Sequence, residues 1–198
     1  MGHYFSKEEP LESNPQTFEY DFSGNRYIFT TDIGVFSRGK MDGATEILLE
    51  NLPPLQGSLL DLGCGYGAIG IILAKQHNIT VTQSDINPRA VSLARLNAEQ
   101  NGVVCDTILS DGFEKIAEKF DNIIINPPIH AGKEIIFALY KDSHSHLKAM
   151  GKLFVVIQKK HGANSNIAFL SKLFGNCKTL HKRKGLFVLK CLNTHPTM

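Results

Sequence analysis

The chain has 198 residues, 42% of them hydrophobic, and a net charge of +2; that suffices for one compact core and falls short of two large ones. No apolar run approaches the roughly 20 residues a membrane helix needs, the opening segment is too polar for a secretory signal, and four scattered cysteines (Cys64, Cys105, Cys177, Cys191) without a CxxC pair argue against zinc and against a disulfide framework. Charge is uneven: residues 1–100 hold seven Lys/Arg against twelve Asp/Glu, residues 101–198 hold fourteen against seven, and beyond Asp142 ten Lys/Arg follow with no acid at all.

In chain order, residues 1–16 read as an irregular arm. Residues 17–22 and 26–31 alternate aromatic and polar side chains around Ser23-Gly24-Asn25, a β-hairpin pattern. A loop over 34–43 precedes a helix over about 44–51, which Pro53-Pro54 stops. Strands at 58–62 and 80–84 flank a helix at 68–76. Asn87-Pro88 supplies an N-cap and a first-turn proline for a helix reaching about 101. Strands near 105–109 and 121–125 follow. Helices near 134–148 and 165–174 then flank a strand at 152–158. A last hairpin, 177–181 and 186–192, turns at 182–185. The alternation predicts an α/β fold, a mostly parallel sheet with helices on both faces, closed by a C-terminal antiparallel hairpin and extended by the N-terminal one. The expected organisation is one domain over 1–198, with an arm and hairpin at 1–40 and a core at 41–198, in a reducing, cytoplasmic setting.

Two stretches carry the chemistry. The first, Asp61-Leu-Gly-Cys-Gly-Tyr-Gly67, closes the first core strand. Open α/β sheets bind ligands at the carboxyl ends of their strands. There glycines let the backbone turn tightly and approach a ligand. Asp85, ending the next strand, is placed to accept both hydroxyls of a ribose. Gly65-x-Gly67-x-x-Gly70 also satisfies the dinucleotide pattern GxGxxG, a weak signal by itself. Asp61 tips the reading to S-adenosylmethionine (SAM), because a carboxylate at the strand end can receive that cofactor's ammonium group. Gly63, Gly65, Gly67 and Asp111, the latter beside the adenine, complete the expected cofactor set.

The second stretch is Asn126-Pro-Pro-Ile-His130, behind the fourth strand. An amine conjugated to a base or a carbonyl is a poor nucleophile. Two fixed acceptors on its N–H groups help it pyramidalise, and the Asn126 side-chain carbonyl and the Pro127 main-chain carbonyl can be those acceptors. The prolines stiffen the loop. A sulfonium methyl is already electrophilic, so transfer needs positioning more than a metal or a strong base. His130 is open to base stacking, phosphate contact or loop packing. His144 and His146, two apart on a helix, read as solvated residues and not as metal ligands.

Together these stretches resemble class I SAM-dependent N-methyltransferases, with their Rossmann-like sheet. Gly34-Val35-Phe36-Ser37 with Asp42-Gly43, and His130-Ala131-Gly132 after the prolines, resemble more closely the small-subunit ribosomal RNA guanine-N2 methyltransferase family, in its short single-domain members. The resemblance covers nearly the whole chain. It implies methyl transfer to guanine N2, with Asn126 touching both cofactor and amine, and Phe36, Ser37, Lys40, Pro128, Ile129 and His130 at the substrate. It implies RNA, ribosomal RNA or the small subunit, as partner, without a membrane. The chain departs from the family in having one methyltransferase-like half where better-known members have two. It also has Ile129 where the family usually has Phe, which removes a ring for stacking a flipped base. The acid-free tail fits either a solvated basic face or a phosphate-facing surface. The alternatives are a protein-glutamine N-methyltransferase, an NAD-dependent dehydrogenase and a non-catalytic RNA-binding module.

Overall fold

The computed structural model describes residues 12–128 and 132–194. Its elements are β1 (Gln16–Phe22), β2 (Asn25–Thr31), α1 (Gly43–Asn51), β3 (Gly57–Leu62), α2 (Ala68–Gln76), β4 (Ile79–Asp85), α3 (Pro88–Gln100), β5 (Asp106–Leu109), β6 (Phe120–Ile125), α4 (Lys133–Ser145), β7 (Leu147–Gln158), a 3₁₀ turn (Lys159–His161), α5 (Ala163–Phe174), β8 (Lys178–Arg183) and β9 (Leu186–Leu192). The main sheet runs β5-β4-β3-β6-β7-β9-β8. β3 to β7 pair in parallel, and β9 joins β7 and β8 antiparallel. The fold is therefore the predicted α/β architecture with both hairpins.

Side chains alternate across the sheet. On β3, β6 and β7, Leu59, Ile124, Phe154 and Val156 enter one core, with α1, α2, α3 and the N-terminal hairpin. Leu60, Leu62, Ile123, Ile125 and Val155 enter the other, with α4 and α5. That is the period of two expected of strands buried on both faces.

The largest difference from expectation lies at one boundary. The helix predicted to run to 148 stops at Ser145, and the strand predicted from 152 begins at Leu147. Leu147 pairs with Phe120, whose N–H reaches the His146 carbonyl at 2.8 Å. The chain then kinks at Met150, where φ is +63°, and resumes pairing at Lys152. The spacing of Leu147 and Met150 suits a helix, but a strand partner outweighs local propensity.

The β1–β2 hairpin is fastened to α3 by two asparagines one turn apart. The Asn97 side chain accepts from Thr30 N and donates to Thr30 O, at 2.8 and 2.9 Å. Asn101 does the same at Ile28, at 3.0 and 2.7 Å. Each amide thus satisfies a donor and an acceptor of the strand.

Candidate active site

The chain runs outward from β3 to β4 and β5, then returns to β6 on the other side of β3. The crevice at such a reversal is where open α/β sheets bind ligands. Leu62 and Ile125 are register partners at the ends of β3 and β6. The glycine loop and Asn126 therefore leave the sheet side by side, one strand spacing (about 4.8 Å) apart.

The glycine loop is held to β4. Gly63 and Cys64 both donate to the Ser84 carbonyl, and Gly65 donates to Asp85 Oδ2 at 2.8 Å. Gly65 has φ +57°, and a Cβ there would project into open space. Gly67, at φ +92°, is required for a second reason: a Cβ would crowd Gln83, Ile71 and Ala94 at 3.0–3.1 Å. Gly70 is likewise a packing glycine, since a Cβ would lie 2.5 Å from the Gln83 amide. Its place in the GxGxxG pattern thus follows from helix–sheet contact.

Asp61 is 1% exposed. Its Oδ2 accepts the Gly70 N–H at 2.9 Å, so it caps the first turn of α2, which starts at Gly67 without a side-chain cap. Burial pushes its carboxyl up to about 7; the Gly70 and Gln83 hydrogen bonds act against this, and the nearby Asp85 charge adds to it. A buried carboxylate of this kind gains from a nearby cation. Asp85 Oδ1 accepts from Asn87 N at 2.8 Å, and each of its oxygens keeps a further lone pair for a ligand. Ser110 N reaches the Asp85 carbonyl at 3.0 Å, which puts exposed Asp111 on the same edge of the sheet. Open space before Gly65, a carboxylate at Asp85 and the buried anion at Asp61 suit a ligand that carries a ribose and a positive charge, as SAM does.

On the other side of β6, a cavity of about 290 Å³ is lined by Phe36, Asp42, Asn126, Pro127 and Pro128. Its far wall is Val156, Ile157, Gln158 and His161, with the first turns of α4 and α5. Asn126 is half-buried at the junction of loop and cavity. Its Nδ2 donates to Asp42 Oδ2 at 3.3 Å and to Thr45 Oγ1 at 3.2 Å. Only the NH₂ end of the amide can donate to a carboxylate, which fixes which end is which. The Asn126 carbonyl oxygen is left as the acceptor. Asp42 is itself the N-cap of α1, accepting Thr45 N at 2.9 Å.

Of the substrate residues expected from sequence, Phe36 and Pro128 line the cavity, and Phe36 is 53% exposed at its rim. Ser37 and Lys40 do not line it. Ser37 has φ +57° and turns its hydroxyl onto the Lys40 carbonyl at 2.9 Å. Ile129 and His130 lie outside the described residues. Thr45, Gln158 and His161 escaped the sequence reading, and Asp42 entered it only in the Asp42-Gly43 pair of the loop before the core. His144 and His146 are not simply solvated: His146 stacks on Phe113 at 4.3 Å, and His144 meets the Phe174 ring edge-on at 4.8 Å. Among the described residues, no group of three His, Cys, Asp or Glu side chains is placed to hold a metal, and no helix is long and apolar enough to cross a membrane.

Known proteins align with this arrangement. The sequence profile of the family described as "Methyltransferase small domain" matches residues 26–190. An uncharacterized Bacillus subtilis protein, YbxB, is 41% identical over 194 residues, spanning 95% of this chain and 96% of its own. Ribosomal RNA small subunit methyltransferase C of Shewanella pealeana is 37% identical over 153 residues, 75% of this chain but only 44% of that protein. The solved structure of the Thermus thermophilus 16S rRNA N2 G1207 methyltransferase, in complex with AdoMet and guanosine, superposes with a TM-score of 0.83 at 29% identity. It matches 92% of this chain and 52% of that one, so the chain spans about half the length of these rRNA methyltransferases. The chain belongs to the methyltransferase small domain family, and its cofactor is S-adenosylmethionine.

Proposed function

We propose that this methyltransferase acts on an exocyclic amino nitrogen of RNA, namely N2 of guanine in small-subunit ribosomal RNA. The observation that carries the reading is the pinned Asn126 amide. Asp42 and Thr45 hold its NH₂ group, so its carbonyl oxygen stands ready as an acceptor between the glycine loop and the cavity. The similarity to rRNA methyltransferases over most of this chain supports RNA as substrate.

In this reading Asp61, Gly63, Gly65, Gly67, Asp85 and Asp111 hold the cofactor, and Asn126 faces both cofactor and base. Bound SAM supplies an electrophilic sulfonium methyl. The protein's own work is positioning. The Asn126 Oδ1 and Pro127 carbonyl accept the two N–H groups of the amine, turn its lone pair toward the methyl and favour the pyramidal nitrogen. After transfer the nitrogen gives up one of these protons to water; Asn126 Oδ1 and the Pro127 carbonyl orient the N–H groups and do not keep the proton. Phe36 and Pro128 give the base its apolar contacts, and the exposed Phe36 ring offers the flat face that position 129 lacks.

Asn126→Ala tests this. SAM binding by calorimetry is expected to persist, and labelled-methyl transfer to RNA to fall about 10²–10³-fold, as for removal of one transition-state contact. Full activity in that variant sinks the clamp. RNA from a strain lacking the protein is the substrate to use, and nucleoside mass spectrometry should then find N2-methylguanosine. A product methylated elsewhere removes the guanine assignment.

A further inference from the structure

The 3₁₀ turn after β7 and the tip of the β8–β9 hairpin form one structure. Lys159 N donates to the Gly185 carbonyl at 2.7 Å. Gln158 and Leu186 are register partners, and both line the cavity. Lys159, Lys160, Lys182, Arg183 and Lys184 surround this junction, and all five are exposed. No acidic residue exists in the chain beyond Asp142, so β8, β9, α5 and the 3₁₀ turn contribute none. Five cations therefore stand beside the cavity-lining Gln158, His161 and Leu186 in sequence or strand register, outside the cavity itself.

The tip carries a second sign. Lys184 and Gly185 are the two turn residues, with φ +48° and +78°. A two-residue hairpin turn of this kind prefers Asn-Gly, because Asn tolerates a positive φ and other L-residues pay for it. The N-terminal hairpin turns the same way through Ser23 and Gly24, with φ +47° and +76°. A long lysine held in a strained backbone conformation at a charged tip suggests that its charge is wanted there.

We infer that this rim binds the phosphate backbone of the RNA strand on either side of the nucleotide that enters the cavity. The inference rests on RNA being the substrate. Five like charges at one edge are costly to gather unless polyanion binding offsets their repulsion, and a single strand follows such a row of cations while its bases remain free to turn inward. The rim carries no sequence reading; it sets register, and the cavity chooses the base.

The test uses the full chain and a fluorescent single-stranded RNA in anisotropy titrations at several KCl concentrations. In the variant Lys182→Ala, Arg183→Ala, Lys184→Asn, affinity near 0.1 M salt should fall by at least about tenfold, and the slope of log K against log[KCl] should shrink by roughly 2. Its SAM affinity should not change. The single variant Lys184→Asn keeps the fold intact, because Asn is the better residue for the turn; its melting temperature should hold or rise while RNA affinity drops. Unchanged affinity and slope in the triple variant overturn the rim, as does equal competition by poly-aspartate at matched charge. Lost RNA affinity in the variant, beside a wild type that transfers no methyl to RNA, keeps RNA binding at the rim but defeats the substrate reading, and with it the placement of the strand around the cavity. The two ideas can therefore fail separately.

Discussion

The glycine loop and the Asn126-Pro127-Pro128 segment leave paired strands at the same height, yet they are shaped in opposite ways. The glycine loop makes its own form. Positive backbone angles at Gly63, Gly65 and Gly67 turn it, and its hydrogen bonds go to Ser84 and Asp85, about twenty residues on. The second segment has no positive φ at 126–128, and its functional amide is set from outside, by Asp42 and Thr45, which lie 84 and 81 residues earlier. In the proposed function, the cofactor's cradle is thus local in the chain, whereas the orientation of the amide assigned to the substrate depends on a remote helix start. The chemistry should be breakable without touching the cofactor site, and the reverse.

The sharpest way to separate the two is Asp42→Ala. It should lower kcat about 10- to 100-fold by freeing the Asn126 amide, leave SAM affinity alone, and cost about 1 kcal/mol of stability through the lost N-cap. Asp42→Asn should recover the cap and much of kcat. A kcat untouched by Asp42→Ala would mean that the amide holds itself.

The cradle is probed by two glycines in similar settings. Gly65 and Gly24 both have positive φ and open space where a Cβ would go. Alanine should cost each about 1 kcal/mol of strain, read as a similar fall in denaturation midpoint. Only Gly65→Ala should weaken SAM, by about tenfold on calorimetry, because only its Cβ enters ligand space. Equal SAM binding by both variants would erase the contrast.

Asp61 offers a separate test, through pH. Its folded carboxyl titrates near 7 against 3.8 for the ordinary group. Between those values the folded chain keeps a proton that the unfolded chain has lost. Stability therefore falls as pH rises through that window and levels off above it. Asp61→Asn retains an acceptor for Gly70 without titrating. Thermal melts should show this part of the slope removed and the variant more stable at pH 8 by on the order of 2–4 kcal/mol. Saturating SAM should flatten the slope in the wild type if its ammonium approaches Asp61; an unaltered slope would confine Asp61 to capping α2.

Most element boundaries were legible because residues with one dominant use mark them. Asn87-Pro88 starts α3 where expected, and Gly67 starts α2. The start of β7 was hidden, since the residue that makes Leu147 a strand is its partner Phe120. The site divides along the same line. Asp61, the loop glycines and Asp85 are read from spacing because their partners are near in sequence. Asp42 enters the sequence only through the Asp42-Gly43 resemblance; its cap on α1 emerges from the structure, and its hold on Asn126 spans 84 residues and leaves no periodic trace. Ser37 and Lys40 are expected at the substrate along with Phe36; of the three, only Phe36 lines the cavity, while the Ser37 hydroxyl donates to the Lys40 carbonyl.

Asn97 and Asn101 have a consequence beyond attaching the hairpin. A two-stranded sheet offers its free strand edge to any passing chain, and a row of open N–H and C=O groups is a template for runaway pairing between molecules. By occupying both groups of Ile28 and of Thr30, the two amides take the docking positions a foreign strand would need. At the far end of the main sheet, edge strand β8 carries exposed Lys178, Lys182 and Arg183, so like copies repel there. One edge of the first hairpin is thus occupied by counterfeit strand contacts, and the outer edge of the second is guarded by charge.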